Sequence, residues 1–536
     1  MSCLFLVDDL SKFIGFFVIL FTLLIFVYSL FYIKKNRFSY YLWFFLTSFV
    51  SLLAVFSNHI FLLLIFWGFL ALTLFKLINF YSQDKVAAVA KKTFIIVGGT
   101  DSFLLLGFVL YLYLNSSVYL VGEPLVLHNG LSFLAFFLIA SACFAKAGCF
   151  PFHSWVVDTA EYAPIPVVAC LPASLDKLLG IYLLARITKN TFLLNNFACG
   201  VLLFLGAVTI VGAVMMALVQ HNVKRLLGFH AVSQVGYMVL GMGCNSPLGL
   251  AAGLFHMVNN AIYKSCLFLG AGNVEERMGT LELKDLGGLY KFMPLTFIAM
   301  LIAAFSISGI PPFNGFVSKW MIYQGLIDFM NNVNSLGMKI ILSFSLVCAL
   351  IGSSLTLASF LKLIGGIFMG KERKKVEEVS FAMYFPPLFL SLLCIVLGFF
   401  SVPLVFHHLR SFTGIFSLIG IWKPVMATNF ILIGIILGWI IFSIFSKIRI
   451  TERYVGGEMV EEEVKTEDFY TIIRDLNPLK NVYNNAEKGR FDLYEQGKNL
   501  TFLFTKFLSY LHNGVLPTYL VWCLLGVMGL ILVFFK

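Results

Sequence analysis

Lys146, Lys264 and Lys319 each lie inside or beside an apolar segment long enough to cross a bilayer. An ammonium group in hydrocarbon is costly, so such residues are rare, face a polar interior and mark routes for ions or protons. Desolvation moves an ammonium pKa from about 10.4 toward neutrality. Modest changes in nearby charge can then load or unload a proton at working pH, so these lysines point to proton transfer through a membrane. His256, Asn260 and Lys264 recur at a spacing of four and share one helix face, along which water could link them. A histidine alone in an apolar helix is more often a packing residue, and it is the company of Lys264 that gives His256 a relay role. Lys224 adjoins Arg225 at the start of an apolar span, where snorkelling to the interface accounts for it from the residues alone. Lys76 reads as a snorkelling interface residue in the same way.

Asp176 and Lys177 interrupt the apolar helix LPASLDKLLGIY. Successive helical residues point about 100° apart, so these two do not pair with each other. Asp176 is expected to face a lysine of a neighbouring helix, with Lys146 the candidate, while Lys177 turns elsewhere. A structural ion pair between helices is the competing reading.

The elements that must hold these groups follow from composition. With 60% hydrophobic and 12% charged residues and a mean hydropathy of +0.92, the 536-residue chain is excluded from the soluble globular class. It reads as an all-α polytopic membrane protein. The net charge of +11 sits in short loops and not on one basic face, which suits anionic lipid headgroups and argues against nucleic acid. Ten cysteines are scattered singly without a CxxC or ferredoxin-like spacing. No nucleotide-fold signature, flavin motif, metal-ligand cluster or iron–sulfur ligand set is present, so no cofactor is expected in this chain and any electron chemistry belongs to partner proteins. Asp8 and Asp9 precede the first apolar run without a basic n-region, which predicts a retained helix and not a signal peptide.

At roughly 20 apolar residues per crossing the chain divides into about fourteen spans. Two segments, Leu131 to Tyr162 and Pro294 to Met330, are too long for one simple pass. They contain AKAGCFPFHSW (Ala145 to Trp155) and SISGIPPFNGFVSKW (Ser306 to Trp320), which predict breaks at Pro151 and at Gly309, Pro311 and Pro312. Matching breaks in two halves of a transporter flank ion paths near the midplane, whereas a single proline merely kinks a helix. With each broken segment counted once, the basic clusters at Lys34 to Arg37, Lys85 to Lys92, Lys224 to Arg225 and Lys371 to Lys375 share one side, predicted to be cytoplasmic. Arg186 and Lys189 fall on the other side. The polar stretch Lys447 to Asn513 contains the acidic run Glu461 to Glu463 and a stripe of Leu500, Phe504, Phe507 and Leu511, with Lys498 and Lys506 off it. That stripe predicts an interfacial amphipathic helix before a terminal span.

The motifs AKAGCFPFHSWVVDTAEYAPIPV, HNVKRLLGFHAVSQVGYMVLGMG, FHMVNNAIYKSCLFLGAGNV and GIPPFNGFVSKW resemble the antiporter-like subunits shared by respiratory complex I, the Mrp cation/proton antiporters and the energy-converting membrane-bound hydrogenases. The resemblance runs from about Val7 to Gly370. It implies two inverted five-helix repeats, each with one broken helix, within a multi-pass protein of the cell membrane whose polar loops are mostly cytoplasmic. Position by position, it implies that Lys146 is the input switch, Lys224 a bridging group, His256 and Lys264 a connecting relay and Lys319 the group near the exit. The family usually carries a glutamate in an FWE stretch that pairs with the first of these lysines; here the stretch is IFWGFLAL and Gly68 stands in its place. Pro172 and Asn260 replace two further familiar histidines. LVDDLSKF at Leu6 to Phe13 resembles the start of the family's third helix, which leaves the first two unmatched. RYVGGE (Arg453 to Glu458) and LHNGVLPTYLVW resemble hydrogenase-type members.

The implied organisation is N-terminal helices over 1–93, the remainder of the first half over 94–187, the second half over 188–370, C-terminal helices over 371–446, the polar segment 447–513 and a terminal helix over 514–536. The implied function is proton translocation, or Na⁺ exchanged for protons, within a redox-driven complex I-like or hydrogenase-like assembly. The implied partners are other membrane subunits and a redox peripheral arm. An Mrp-type antiporter component without a redox partner, and a non-conducting scaffold, are the alternatives.

Overall fold

The computed structural model describes residues 4–445, 470–477 and 479–535. Four helices open the chain: α1 (Asp9–Tyr32), α2 (Arg37–Phe56), α3 (Ile60–Ile78) and α4 (Asp84–Asn115). A capping box starts α1, in which the Asp8 carboxylate accepts from Ser11 N and the Ser11 hydroxyl from Asp8 N, each at 2.9 Å. The first broken pass follows as α5 (Gly130–Ala147) and α6 (Ser154–Tyr162). Next, α7 (Ile165–Cys170) and α8 (Asp176–Arg186) form one rod through a wider turn at Leu171–Leu175. After them come α9 (Asn196–Leu218), α10 (Val223–Gly243) and α11 (Pro247–Met278), then the second broken pass α12 (Pro294–Ser308) and α13 (Asn314–Asn332). The run continues with α14 (Leu336–Phe368), α15 (Phe381–Phe399), the short α16 (Ser401–His408) and α17 (Arg410–Thr413), α18 (Pro424–Phe445) and α19 (Thr471–Asp475). It ends with α20 (Leu479–Glu487), α21 (Leu493–Leu511) and α22 (Leu516–Phe534). The chain divides into two compact units, Met1–Lys480 and Asn481–Lys536, so the boundary falls inside the expected polar segment.

Among the described residues twelve helices are long and apolar enough to cross a membrane. Adding the more polar α11 and the α12/α13 pair gives fourteen passes, as expected from the spacing of apolar runs. α2 to α8 make five passes and α9 to α14 another five. The third pass of each set is a 32-residue helix, α4 or α11, and the fourth is broken. Five is odd, so the second set starts on the opposite face and runs inverted. α8, α10 and α11 are buried along nearly their whole length, which places their polar side chains against protein and away from lipid. α18 presents most of its length to the surroundings, as a lipid-facing helix does.

Both breaks are built alike. α5 ends at Gly148 (φ +83°), where Cys149 N donates to Phe144 O at 2.9 Å; α12 ends at Gly309 (φ +82°), where Ile310 N donates to Phe305 O at 3.0 Å. These six-to-one bonds stop a helix in a left-handed turn and leave its last carbonyls open. Pro151, Pro311 and Pro312 follow in the linkers, where the missing N–H costs nothing.

Arg186, which counted against the charge bias when read as a loop cation, is a buried residue of α8. It grips Asp8 through two bonds of 2.6 Å and also donates to Tyr182 Oη. The Asp8 carboxyl is raised by burial but more strongly lowered by its bonds with Arg186, and it ends below the usual aspartate range. In the second unit the stripe of Leu500, Phe504, Phe507 and Leu511 lies on α21, which Asp492 caps, and α22 supplies the terminal span. RYVGGE and Glu461 to Glu463 lie outside the described residues.

Candidate functional site

Lys146 occupies the last turn of α5 and is fully buried. Its Nζ is 3.4 Å from Asp176 Oδ1 and 5.6 Å from the centre of the Trp67 ring, and no hydrogen bond of good geometry satisfies it. Asp176 begins α8 directly after the wide turn, whose closing bond runs from Asp176 N to Leu171 O, one residue longer than an α-helical bond. Pro172 lies in that turn, and its missing N–H removes one regular rung there. Ser174 Oγ donates to the carbonyls of Ala169 and Cys170 at 2.8 and 2.7 Å, and Ser265 of α11 adds a bond to Ala169 O. Pro172 thus belongs to the turn that precedes Asp176.

Gly180, one turn along α8 from Asp176, lets that helix touch α5. A Cβ there would meet Ala147 N and Cys143 O at 2.8 Å. The close approach also carries Lys177 to the open end of α5, where its Nζ donates to Ala147 O at 3.0 Å. The second break repeats the device: Lys319 Nζ donates to Ile307 O at 2.8 Å and to Ser353 Oγ at 3.0 Å. Each broken helix therefore offers the negative end of its dipole to an ammonium group.

Lys264 is fully buried on α11 and donates to Leu227 O of α10 at 2.9 Å, between the rings of Phe268 and Phe360. Among the described residues neither Lys264 nor Lys319 has a carboxylate within ion-pair distance. Their main partners are carbonyl oxygens, and a neutral amine keeps two N–H donors. Such a lysine can give up its proton and hold the same acceptor. Acceptors of this kind suit groups that switch charge in place.

His256 and Lys264 share a face of α11 but reach different neighbours. His256 Nδ1 lies 2.9 Å from Ser318 Oγ on α13, whereas Lys264 turns to α10. Between them, both polar side-chain atoms of Asn260 are buried and have no protein partner. Asn259 and Asn314 exchange bonds of 2.9 and 3.0 Å that fasten α11 to the start of α13. Lys224 is not in this row. It pairs with Glu275 at 2.8 Å near the end of the bundle, and Tyr32 Oη donates to the same carboxylate.

Reading the sequence missed Asp101, Trp67, His230, Gln234 and Ser353. Asp101 of α4 lies toward Trp67 Nε1 and within the field of Lys146, making it a second carboxylate near that charge. Its Oδ1 and Trp67 Nε1 are both buried without a well-formed bond. The intramembrane-charge rule that picked out Asp176 also applies to Asp101, in the apolar run IIVGGTDSFLLLG. Lys146, Asp176, Gln234, His230, His256 and Asn260 all carry buried polar atoms with no hydrogen-bond partner in the protein. Such atoms call for water or ion contact, and they follow the same central helices.

The chain is similar to several known proteins. The A1 component of the sodium/proton antiporter of Staphylococcus haemolyticus is 32% identical over 404 residues, 70% of this chain and 50% of that protein. The corresponding A component of the sodium/proton antiporter of Alkalihalophilus pseudofirmus is 31% identical over 433 residues, 74% of this chain and 52% of that protein. The chain thus spans about half the length of these relatives. Among solved structures, a chain of an archaeal membrane-bound sulfane sulfur reductase, a respiratory membrane complex, superposes with a TM-score of 0.78 at 21% identity, covering 98% of this chain and 88% of that one. A chain of the Mrp complex from Dietzia sp. gives 0.68 at 23% identity, covering 76% and 83%. Both have the fold described here. Residues 57–345 match the family of transmembrane proteins described as NADH:quinone oxidoreductase/Mrp antiporter, and the chain belongs to that family.

Proposed function

We propose that this chain carries protons across the membrane as one component of a larger membrane assembly. The observation that carries the reading is the burial of Lys146, Lys264 and Lys319 on central helices, each against a partner that suits a switchable charge. Lys146 with Asp176 forms the loading site; Lys264 passes charge inward; Lys319 at the second break hands it to the opposite face. His256, beside Ser318, supports the outlet, and Lys224 with Glu275 serves as a collecting pair at the basic face. That face is cytoplasmic on the reading proposed here, in the cell membrane.

The driving force comes from partner subunits. The chain of the sulfane sulfur reductase, itself a respiratory membrane complex, matches nearly the whole of this chain and supports a redox-driven assembly. The antiporter components among the relatives support a second reading, Na⁺ exchange for protons without redox chemistry. Identifying the subunits that co-purify separates the two. For the proton path itself, the full chain with its co-purifying subunits is reconstituted into liposomes containing a pH-sensitive dye. Lys264→Ala and Lys319→Ala are each expected to abolish flux driven by an imposed potential. Parental flux in both would make the chain a scaffold.

A further inference from the structure

His230 lies on α10, wholly buried, and has no role in the route above. Its Nε2 is 2.7 Å from Ser359 Oγ of α14, and its Nδ1 has no protein partner. The imidazole packs on Phe360 at 4.8 Å between ring centres, and Lys264 Nζ sits 5.6 Å from the centre of the same ring. Lys264 also donates to Leu227 O, one turn before His230. The charges that act on His230 are those of Lys264 and, less strongly, Lys319.

Leu227, His230, Gln234 and Tyr237 follow at spacings of three and four and share one face of α10. Tyr237 lies under Lys319, with Nζ 4.9 Å from the ring centre. One end of this face meets Lys264 and the other meets Lys319. Gln234, between them, accepts from Tyr263 Oη at 3.3 Å and keeps an unpartnered Nε2. On the parallel stripe of α11, His256 Nδ1 lies on Ser318 Oγ with Nε2 unpartnered, and Asn260 has no hydrogen-bond partner at either polar atom.

We infer that His230 is the proton carrier joining Lys264 to Lys319, so that charge crosses the centre of the protein along α10. The Lys264 ammonium gives one proton to Nδ1, leaving a neutral amine and an imidazolium. The imidazolium then releases the Nδ1 proton to water, which carries it past Gln234 to a neutral Lys319 amine, and the ring returns to neutral. Ser359 holds Nε2 throughout and fixes the ring. Ser359 from α14 touches the ring, and Lys264 from α11 and Lys319 from α13 are the charges whose fields reach it. The imidazolium therefore forms only as Lys264 empties, because two cations side by side repel.

This inference rests on the transport reading, and the test separates the two. The full chain with its co-purifying subunits is reconstituted, and proton flux is followed with an internal dye under a valinomycin potential for the parent, His230→Gln, His256→Gln, Ser359→Ala, Lys264→Ala and Lys319→Ala. Glutamine preserves the bond to Ser359 but cannot carry the proton. His230→Gln is expected to lower flux at least tenfold with thermal stability unchanged, His256→Gln to lower it less than threefold, and Ser359→Ala to shift the pH of half-maximal flux. Parental flux in His230→Gln, alongside loss in both lysine variants, overturns the role of His230 and leaves the transport reading intact. Parental flux in all variants overturns both. If His230→Gln is unstable, an unshifted pH profile in Ser359→Ala overturns the inference.

Discussion

Replacing Asp176 by Asn removes one charge of the pair at the first break while preserving its size. Two unit charges at 3.4 Å attract by on the order of 5 kcal/mol at an effective dielectric of about 20. Both side chains are nearly inaccessible, at 0% and 4% exposed, so solvent offsets little of this. Removing one partner of a buried pair costs about 3–5 kcal/mol, because the remaining charge keeps its desolvation penalty. If half the attraction survives relaxation, the variant forfeits about 2.5 kcal/mol of interaction at the loading site. Proton flux into dye-loaded liposomes is therefore expected to fall at least tenfold in Asp176→Asn, with a lower melting temperature. The double variant Lys146→Met/Asp176→Leu is expected to regain stability but not flux, since replacing a buried ion pair with apolar groups is often neutral or stabilising. Parental flux and stability in Asp176→Asn would refute the reasoning, because the pair would then contribute neither charge nor cohesion.

Gly180→Ala is expected to push α8 from α5, costing about 1–3 kcal/mol and depressing flux without touching a titratable group; a melting curve and the same dye assay check it. The pair between Asp8 and Arg186 predicts a pH dependence of stability at the acid end. The folded carboxyl titrates below its unfolded value near 3.9, so its contribution is present above that value and is lost as pH falls through the lower folded value. Asp8→Asn is expected to lower stability at neutral pH by about 2 kcal/mol, reduced for the part-exposed carboxylate, and to flatten the acid limb of a pH–melting curve.

Much of this architecture was legible because a bilayer leaves few choices. Fourteen apolar runs, two interrupted at corresponding places, dictate the passes and their breaks. The turn per residue of a helix separated Asp176 from Lys177 and directed the aspartate toward Lys146. What sequence could not show depends on long-range partners. Arg186 looked like a misplaced loop cation because Asp8 is 178 positions away, and the carboxylate beside Lys224 could not be named because Glu275 belongs to another helix. The backbone effect of Pro172 on the turn ahead of Asp176 shows only in the fold. His230 was passed over because one histidine in an apolar helix carries no signal until Ser359 and Lys264 are brought beside it.

The acceptors at the two interrupted helices, Ala147 O and Ile307 O, belong to the main chain. No exchange of side chain at position 147 or 307 deletes them. Drift can therefore erase these sites only by altering the donor lysine or by letting the helix run on through Gly148 or Gly309. Acidic residues can come and go around such a socket while the socket itself persists.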